Sequence, residues 1–428
     1  MFGSLLLVLV TGLPVVFVIG GLATLFYILL FGFQSTMALF LAAWSQTTGQ
    51  LLLAIPLFLL MASVLQYSGI ADKVYEMFYR WMGALKGGLA MGTEVICTIF
   101  AAITGTSGAA TVSMGLIAIP SMLKRGYHKH LAIGSVAVGG VLGIVIPPSI
   151  IMIIYSLLAH VSIGRMFMGG IVPGIVCSLL YITYIGIRCW LTPNYGPSVP
   201  PEQRATWHEK IVSLRALVLP LMLIIVVLGS IYMGIATPTE ASAIGAFGAF
   251  ICAAVAGRLD WTLLKRTTTQ TLRLTAMIFW ILIAATIFSN LYIQMGAREF
   301  IGEIVLGLEV SPWVILILIQ LSLFILGCVM DDYAIIMLTA PIYVPLISAL
   351  GFDPLWFGIL FILNMQIAYL TPPFGFNLFY LRGIVPEGIT MGDIYRSVAP
   401  FILLQVIGLA LVMIFPVLAT WLPSTMMK

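Results

Sequence analysis

Long apolar runs separated by short charged clusters dominate the chain. Runs at residues 3–31, 48–68, 131–158, 166–188, 216–236, 240–257, 274–294, 355–381 and 397–421 match the ~17–25 residues of a helix that crosses a bilayer. The runs are continuous rather than alternating, which excludes a β-barrel. In lipid, a backbone segment satisfies its own N–H and C=O groups only as a helix. Two further apolar stretches, 89–123 and 312–350, are interrupted by small or acidic residues and read differently. The predicted fold is therefore an all-α polytopic membrane protein.

Residues 1–71 contain no Asp, Glu, Lys or Arg. A removable secretory signal needs a basic leading region and a short apolar core. The run at 2–33 is too long for that, so a retained helix is expected, tilted or kinked near Gly12-Leu13-Pro14.

Lys and Arg set the orientation. Segments 69–94, 124–129, 188–215, 258–273 and 382–396 hold 16 of the 19 basic residues, and Arg165, Arg298 and Lys428 fall on the other side. The basic side is expected to be cytoplasmic, with the N-terminus inside and the C-terminus outside. Residues 190–214 form the one long loop, too short for a soluble domain.

An internal repeat appears at a fixed offset of 225: Pro120 with Pro345, Gly126 with Gly351, Pro147-Pro148 with Pro372-Pro373, and Tyr155 with Tyr380. The segment after Lys129 enters from the basic side and that after Asp353 from the opposite side, so the repeats are expected to be inverted, a plan shared by many secondary transporters. The expected divisions are a first repeat at 1–190, a linking loop and span at 191–236, and a second repeat at 237–428.

Region 89–123 carries Thr104-Gly105-Thr106-Ser107-Gly108 at its middle. Each flank is about fifteen residues, roughly 22 Å of helix, against a hydrocarbon core of ~30 Å. Both flanks end beside basic residues, so a re-entrant hairpin from the basic side is expected, tipped by this hydroxyl-rich segment. Offset 225 puts Ser107 against Asp332. In 312–350 the flanks are long enough for two full spans. The repeat favours a second hairpin, entering from the other side and tipped by 327–332, with at least one of Asp331 and Asp332 inside the membrane, where a carboxylate is costly and usually functional. The double prolines fall mid-span. Proline lacks the N–H and clashes with the preceding turn, so each pair opens its helix and frees carbonyls suited to cations.

Other features read as structural. Thr237-Pro238-Thr239-Glu240 has the form of a capping box with Pro at N1. His128, His130 and His208 fall in loops, and His160 at an outer helix end. Segments 72–86 and 298–309 read as amphipathic interfacial helices.

Composition narrows the function. Hydrophobic residues make up 61% of the chain and charged ones 8%, against about 25% charged in soluble domains. A soluble enzyme or nucleic-acid binder is excluded. The five cysteines form no disulfide or metal spacing, and no P-loop, metal cluster or catalytic triad appears.

The segments TGTSGAATVSMGLIAIP (104–120), GIVIPPSI (143–150), GIATPTEAS (234–242) and YLTPPFGF (369–376) together resemble the large membrane subunit of tripartite ATP-independent periplasmic (TRAP) transporters, nearly end to end. The resemblance implies a sodium-driven, elevator-type importer of organic acids in a bacterial inner membrane, without enzyme activity or cofactor beyond sodium. It also implies two partners: a small four-helix membrane subunit, expected on a separate polypeptide, and a soluble periplasmic substrate-binding protein. Carried onto this sequence, it points to Thr104, Gly105, Ser107, Val145, Pro147, Gly327, Asp331, Thr371 and Pro372 for sodium. Thr106, Ser107, Gly108, Ser149, Asp332, Pro373 and Asn377 are the corresponding positions for substrate. A stand-alone carboxylate or ion symporter of similar hairpin architecture, and a channel or intramembrane enzyme, are the competing readings.

Overall fold

A computed structural model describes residues 4, 7–8, 13, 15–296, 310–373 and 375–427. All regular structure among them is helical: α1 (Val15–Phe31), α2 (Thr36–Thr47), α3 (Ala54–Tyr67), α4 (Ile70–Met82), α5 (Gly88–Thr104), α6 (Ser107–Lys124), α7 (Lys129–Val141), α8 (Ile150–Ala159), α9 (Ile163–Leu191), α10 (Trp207–Ser213), α11 (Arg215–Tyr232), α12 (Pro238–Val255), α13 (Trp261–Gln294), α14 (Pro312–Gly327), α15 (Asp332–Ala349), α16 (Pro354–Ala368), α17 (Phe376–Arg382), α18 (Met391–Ile414) and α19 (Val417–Ser424). The expected kink near Gly12-Leu13-Pro14 and the second amphipathic helix, 298–309, lie outside the described residues.

Seven helical stretches among the described residues are long and apolar enough to cross a bilayer. Their outer faces carry Leu179, Ile225, Phe247, Leu272 and Leu403, all more than half exposed. Apolar surface of that extent would drive aggregation in water and costs nothing against lipid tails. The interior is the reverse: α7 and α16 are buried nearly throughout.

The basic segments converge at one end of the helices. Gly87 N–H donates to the Gly196 carbonyl (2.8 Å), His128 N–H to that of Tyr195 (3.0 Å) and Val199 N–H to that of Gly83 (2.8 Å). The Trp81 indole donates to the Lys210 carbonyl at 3.0 Å, and Lys129 pairs with Asp393 at 2.7 Å. At the opposite end Met427 N–H donates to the Tyr232 carbonyl and Thr239 to the Gln50 carbonyl.

The first hairpin is anchored at the basic end. Leu89, at the start of α5, donates its N–H to the Tyr127 hydroxyl just beyond α6 (3.1 Å). Its arms have 17 and 18 residues, about 26 Å each, and the chain turns back at Gly105-Thr106. In the second hairpin the start of α14 meets the end of α15: Trp313 packs edge-on against Phe352 and Trp356, with centroids 5.4 and 6.1 Å apart. By length alone α15 could cross a bilayer. The α7–α8 path starts at the basic end; α16 starts beside α8, where the Tyr155 hydroxyl donates to the Pro354 carbonyl at 2.7 Å, and its path returns through α17 toward the basic end.

Several sequence boundaries are corrected. Helix α2 occupies part of 32–47, passed over because its polar residues (Ser45, Gln46, Thr47) hide the run. Residues 261–273, read as loop, are the first turns of α13, started by the Asp260 side chain accepting from Leu263 N–H at 2.6 Å. The 190–214 loop contains the short helix α10. Glu94, assigned with the surface charges of 69–94, lies inside α5 and is fully buried. The Thr237–Glu240 capping box is present as expected, as is the amphipathic α4, which buries Ile70, Val74 and Met77 on one face.

Candidate functional site

Both double prolines sit at helix breaks. Between α7 and α8 a short 3-10 turn (Leu142–Ile144) gives way to irregular backbone, and Pro147-Pro148 is a cis peptide; so is Pro372-Pro373 between α16 and α17. The Ser149 hydroxyl donates to the Ile144 carbonyl at 2.8 Å across the first gap. In the second, Thr371 donates to the Ile367 carbonyl at 2.8 Å.

The first tip lies against the first break. Gly105 ends α5 in the left-handed region (φ +61°), the usual glycine C-cap. Its carbonyl accepts from Ile150 N–H at 3.4 Å. A Cβ on Gly105 would lie 2.5 Å from the Pro148 carbonyl oxygen, and one on Gly143 2.8 Å from that of Thr106. Backbone therefore meets backbone here, which only glycine allows. Thr104, Ser107 and Ser149 are buried around this contact.

The second tip lies just before the second break, against a side chain rather than backbone. A Cβ on Gly327 would lie 2.4 Å from the Ala368 Cβ. The two carboxylates differ. Asp331 caps α15, its Oδ1 accepting from Ala334 N–H at 3.0 Å, an ordinary N-cap role. Asp332 is 2% exposed; its Oδ1 accepts from Tyr333 N–H at 2.9 Å, and the Tyr369 phenol lies beside it.

The first hairpin also reaches across to the other half of the chain. A Cβ on Gly108 would lie 2.8 Å from the Tyr380 ring. Asn377 at the start of α17 accepts from the Thr111 hydroxyl of α6 (2.7 Å) and donates to the Ala137 carbonyl of α7 (2.9 Å). Its amide is thus engaged on both sides within the protein, as a cross-link between hairpin and broken helices. Thr111→Val should leave Asn377 Oδ1 unpaired in a dry interior and destabilise the chain by about 1–3 kcal/mol. Thermal unfolding of the detergent-purified protein measures this, and an unchanged midpoint would remove the cross-link.

The predicted residues do not all meet. Thr104, Gly105, Thr106 and Ser149 gather at the first contact. The Val145 carbonyl oxygen instead lies against Gly170 of α9, 2.3 Å from where its Cβ would be. Pro372 and Pro373 are exposed while Pro147 and Pro148 are buried, so the second break is open and the first sealed. Sequence reasoning missed Thr111 and Gly143 as contact residues. Only Gly143 carried a signal, as the glycine of GIVIPPSI.

Residues 2–418 match the family described as tripartite ATP-independent periplasmic transporter, DctM component. A C4-dicarboxylate TRAP transporter large permease protein of Vibrio cholerae is 33% identical over 397 residues, covering 88% of this chain and 86% of that one. An ectoine TRAP transporter large permease protein of Halomonas elongata is 32% identical over 372 residues, covering 87% and 86%. The fold is similar to that of the Alcanivorax borkumensis YdaH transporter, with a TM-score of 0.67 and 16% identity over 91% of this chain and 89% of that one.

Proposed function

The chain belongs to the family of TRAP transporter DctM components, large permeases and not enzymes, and we propose on that premise that it imports organic acids on a sodium gradient. The observation that carries the reading is the pair of hairpin tips, each lying against a proline break, Gly105 on Pro148 and Gly327 on Ala368. Broken helices supply backbone oxygens, and the N-termini of α6 and α15 supply partial positive charge for a carboxylate. Sodium is assigned to both contacts and the organic acid to the space between them, with Ser107 and Asp332 nearest. The C4-dicarboxylate named for the Vibrio relative puts organic acids first.

The antiparallel courses of α7–α8 and α16–α17 support inverted repeats with halves at 1–190 and 237–428, joined through 191–236. The convergent basic end is assigned to the cytoplasm of a bacterial inner membrane. The two hairpins and two broken helices form the body that moves as an elevator. A small membrane subunit braces the remaining helices, and a soluble periplasmic binding protein delivers the substrate.

The test is uptake of succinate, as a C4-dicarboxylate probe, into proteoliposomes holding the whole complex. Uptake should require an inward sodium gradient and continue without ATP. Equal uptake in sodium-free buffer would sink the coupling. Full uptake by this chain alone would favour the stand-alone symporter.

A further inference from the structure

Glu94 is the charged side chain that neither tip uses. It is 0% exposed in the middle of the first hairpin arm, ten residues before Thr104, about 15 Å from the tip. Neither carboxylate oxygen has a protein hydrogen-bond partner among the described residues. Two other helices hold further unsatisfied polar atoms: Gln366 Oε1 of α16 and both amide atoms of Gln405 of α18. Tyr181 of α9 joins the group. Its hydroxyl accepts from Gln366 Nε2 at 3.3 Å, and its phenol faces both Glu94 and the Gln405 amide.

The second half of the chain shows what a closed version looks like. Gly139, 3.1 Å from Glu94 Oε2 at its Cβ position, corresponds at offset 225 to Asn364. Glu94 corresponds at the same offset to Ile319, and the polar residue on that turn is the next one, Gln320. There the Asn364 amide donates to Gln320 Oε1 at 2.8 Å and to the Gln320 carbonyl at 2.7 Å. A neutral amide pair closes the second position. In the first, glycine stands where the amide partner would be, and the Glu94 carboxyl beside it is left without one.

Among the described residues no basic group compensates. Among titratable groups, Cys97 on the same helix and Tyr181 on α9 are those that interact with Glu94. Lys129 and His130 of α7 are held by Asp393 and Ser397. Arg80 of α4 pairs with Glu76, Arg125 beyond α6 covers Tyr79, and Arg188 of α9 covers Tyr195. An ionised carboxylate out of water with no partner is strongly disfavoured and takes up a cation. With the neutral Tyr181 phenol facing it, the smallest cation suffices.

We propose that Glu94, with Tyr181, Gln366 and Gln405, forms a proton-binding site in the hairpin arm, separate from both tips. The proton adds to one carboxylate oxygen, leaving a neutral acid that a dry interior tolerates. The uptake arm of the test rests on the transport reading; the spectroscopic arm does not.

Infrared difference spectra of the purified chain, wild type against E94Q, should contain a protonated carboxyl C=O band that shifts on deuteration. Repeating this in an Asp332→Asn background removes the other buried carboxyl. A carboxylate band in its place would overturn the site, whatever the outcome of transport. Should E94Q fail to fold, Asp332→Asn alone serves: the protonated band must persist there, and its absence overturns the site. In proteoliposomes at saturating sodium, wild-type uptake should follow a one-proton pH curve that E94Q abolishes while keeping its sodium requirement. An E94Q protein that keeps the pH curve, or one whose sodium requirement is lost instead, would refute a proton site; the second result would make Glu94 a sodium ligand.

Discussion

Gly105→Ala is expected to reduce uptake by about tenfold or more. Two independent costs combine. The alanine must adopt φ +61°, which disfavours any residue with a Cβ by roughly 1–2 kcal/mol. That Cβ would also stand 2.5 Å from the Pro148 carbonyl oxygen, a backbone atom that cannot rotate away as a side chain could. The tip must retreat from the break, and oxygens on both sides lose their spacing. The protein should still insert and purify, because the long helices are untouched. Initial rates in proteoliposomes, normalised to folded protein by size-exclusion chromatography, make the measurement. Wild-type rates would show that the tip-to-break contact has no part in transport.

Asp332→Asn should raise the sodium concentration for half-maximal uptake at least about thirtyfold, since removing one partner of a buried charge interaction costs about 2–5 kcal/mol. Asp331→Asn should change it little. The sequence offered the two carboxylates as equals. Asp331 spends its oxygen on the Ala334 N–H, and asparagine caps about as well as aspartate. Asp332 is 2% exposed and caps no helix; its partners are its neighbour's N–H and the Tyr369 phenol. A sodium titration of the two variants side by side separates them. Equal shifts, or a larger shift for Asp331→Asn, would reverse the assignment.

These substitutions also mark where sequence reading stops. Membrane residence, helix class, the hairpin at 89–123 and both helix breaks were legible, because each follows from local quantities. Run length against bilayer thickness decides a span, and a double proline breaks a helix whatever surrounds it. The second hairpin was read from the offset of 225, because its flanks are long enough for two spans and length alone could not decide. Partner identity across the fold was not legible. Asn377 was assigned to substrate, yet Thr111, 266 positions away in the chain, and Ala137 take up its amide. Val145 was assigned to a cation, yet its carbonyl turns to Gly170 of another helix. Glu94 looked like one of several surface charges, because Asp72 to Lys86 precede it and nothing local distinguishes it. Only the packing of α7 and α9 onto α5, with α16 and α18 behind α9, buries it. A proline acts on its own turn, whereas a polar side chain's meaning depends on which helices close around it, and that is fixed by tertiary packing alone.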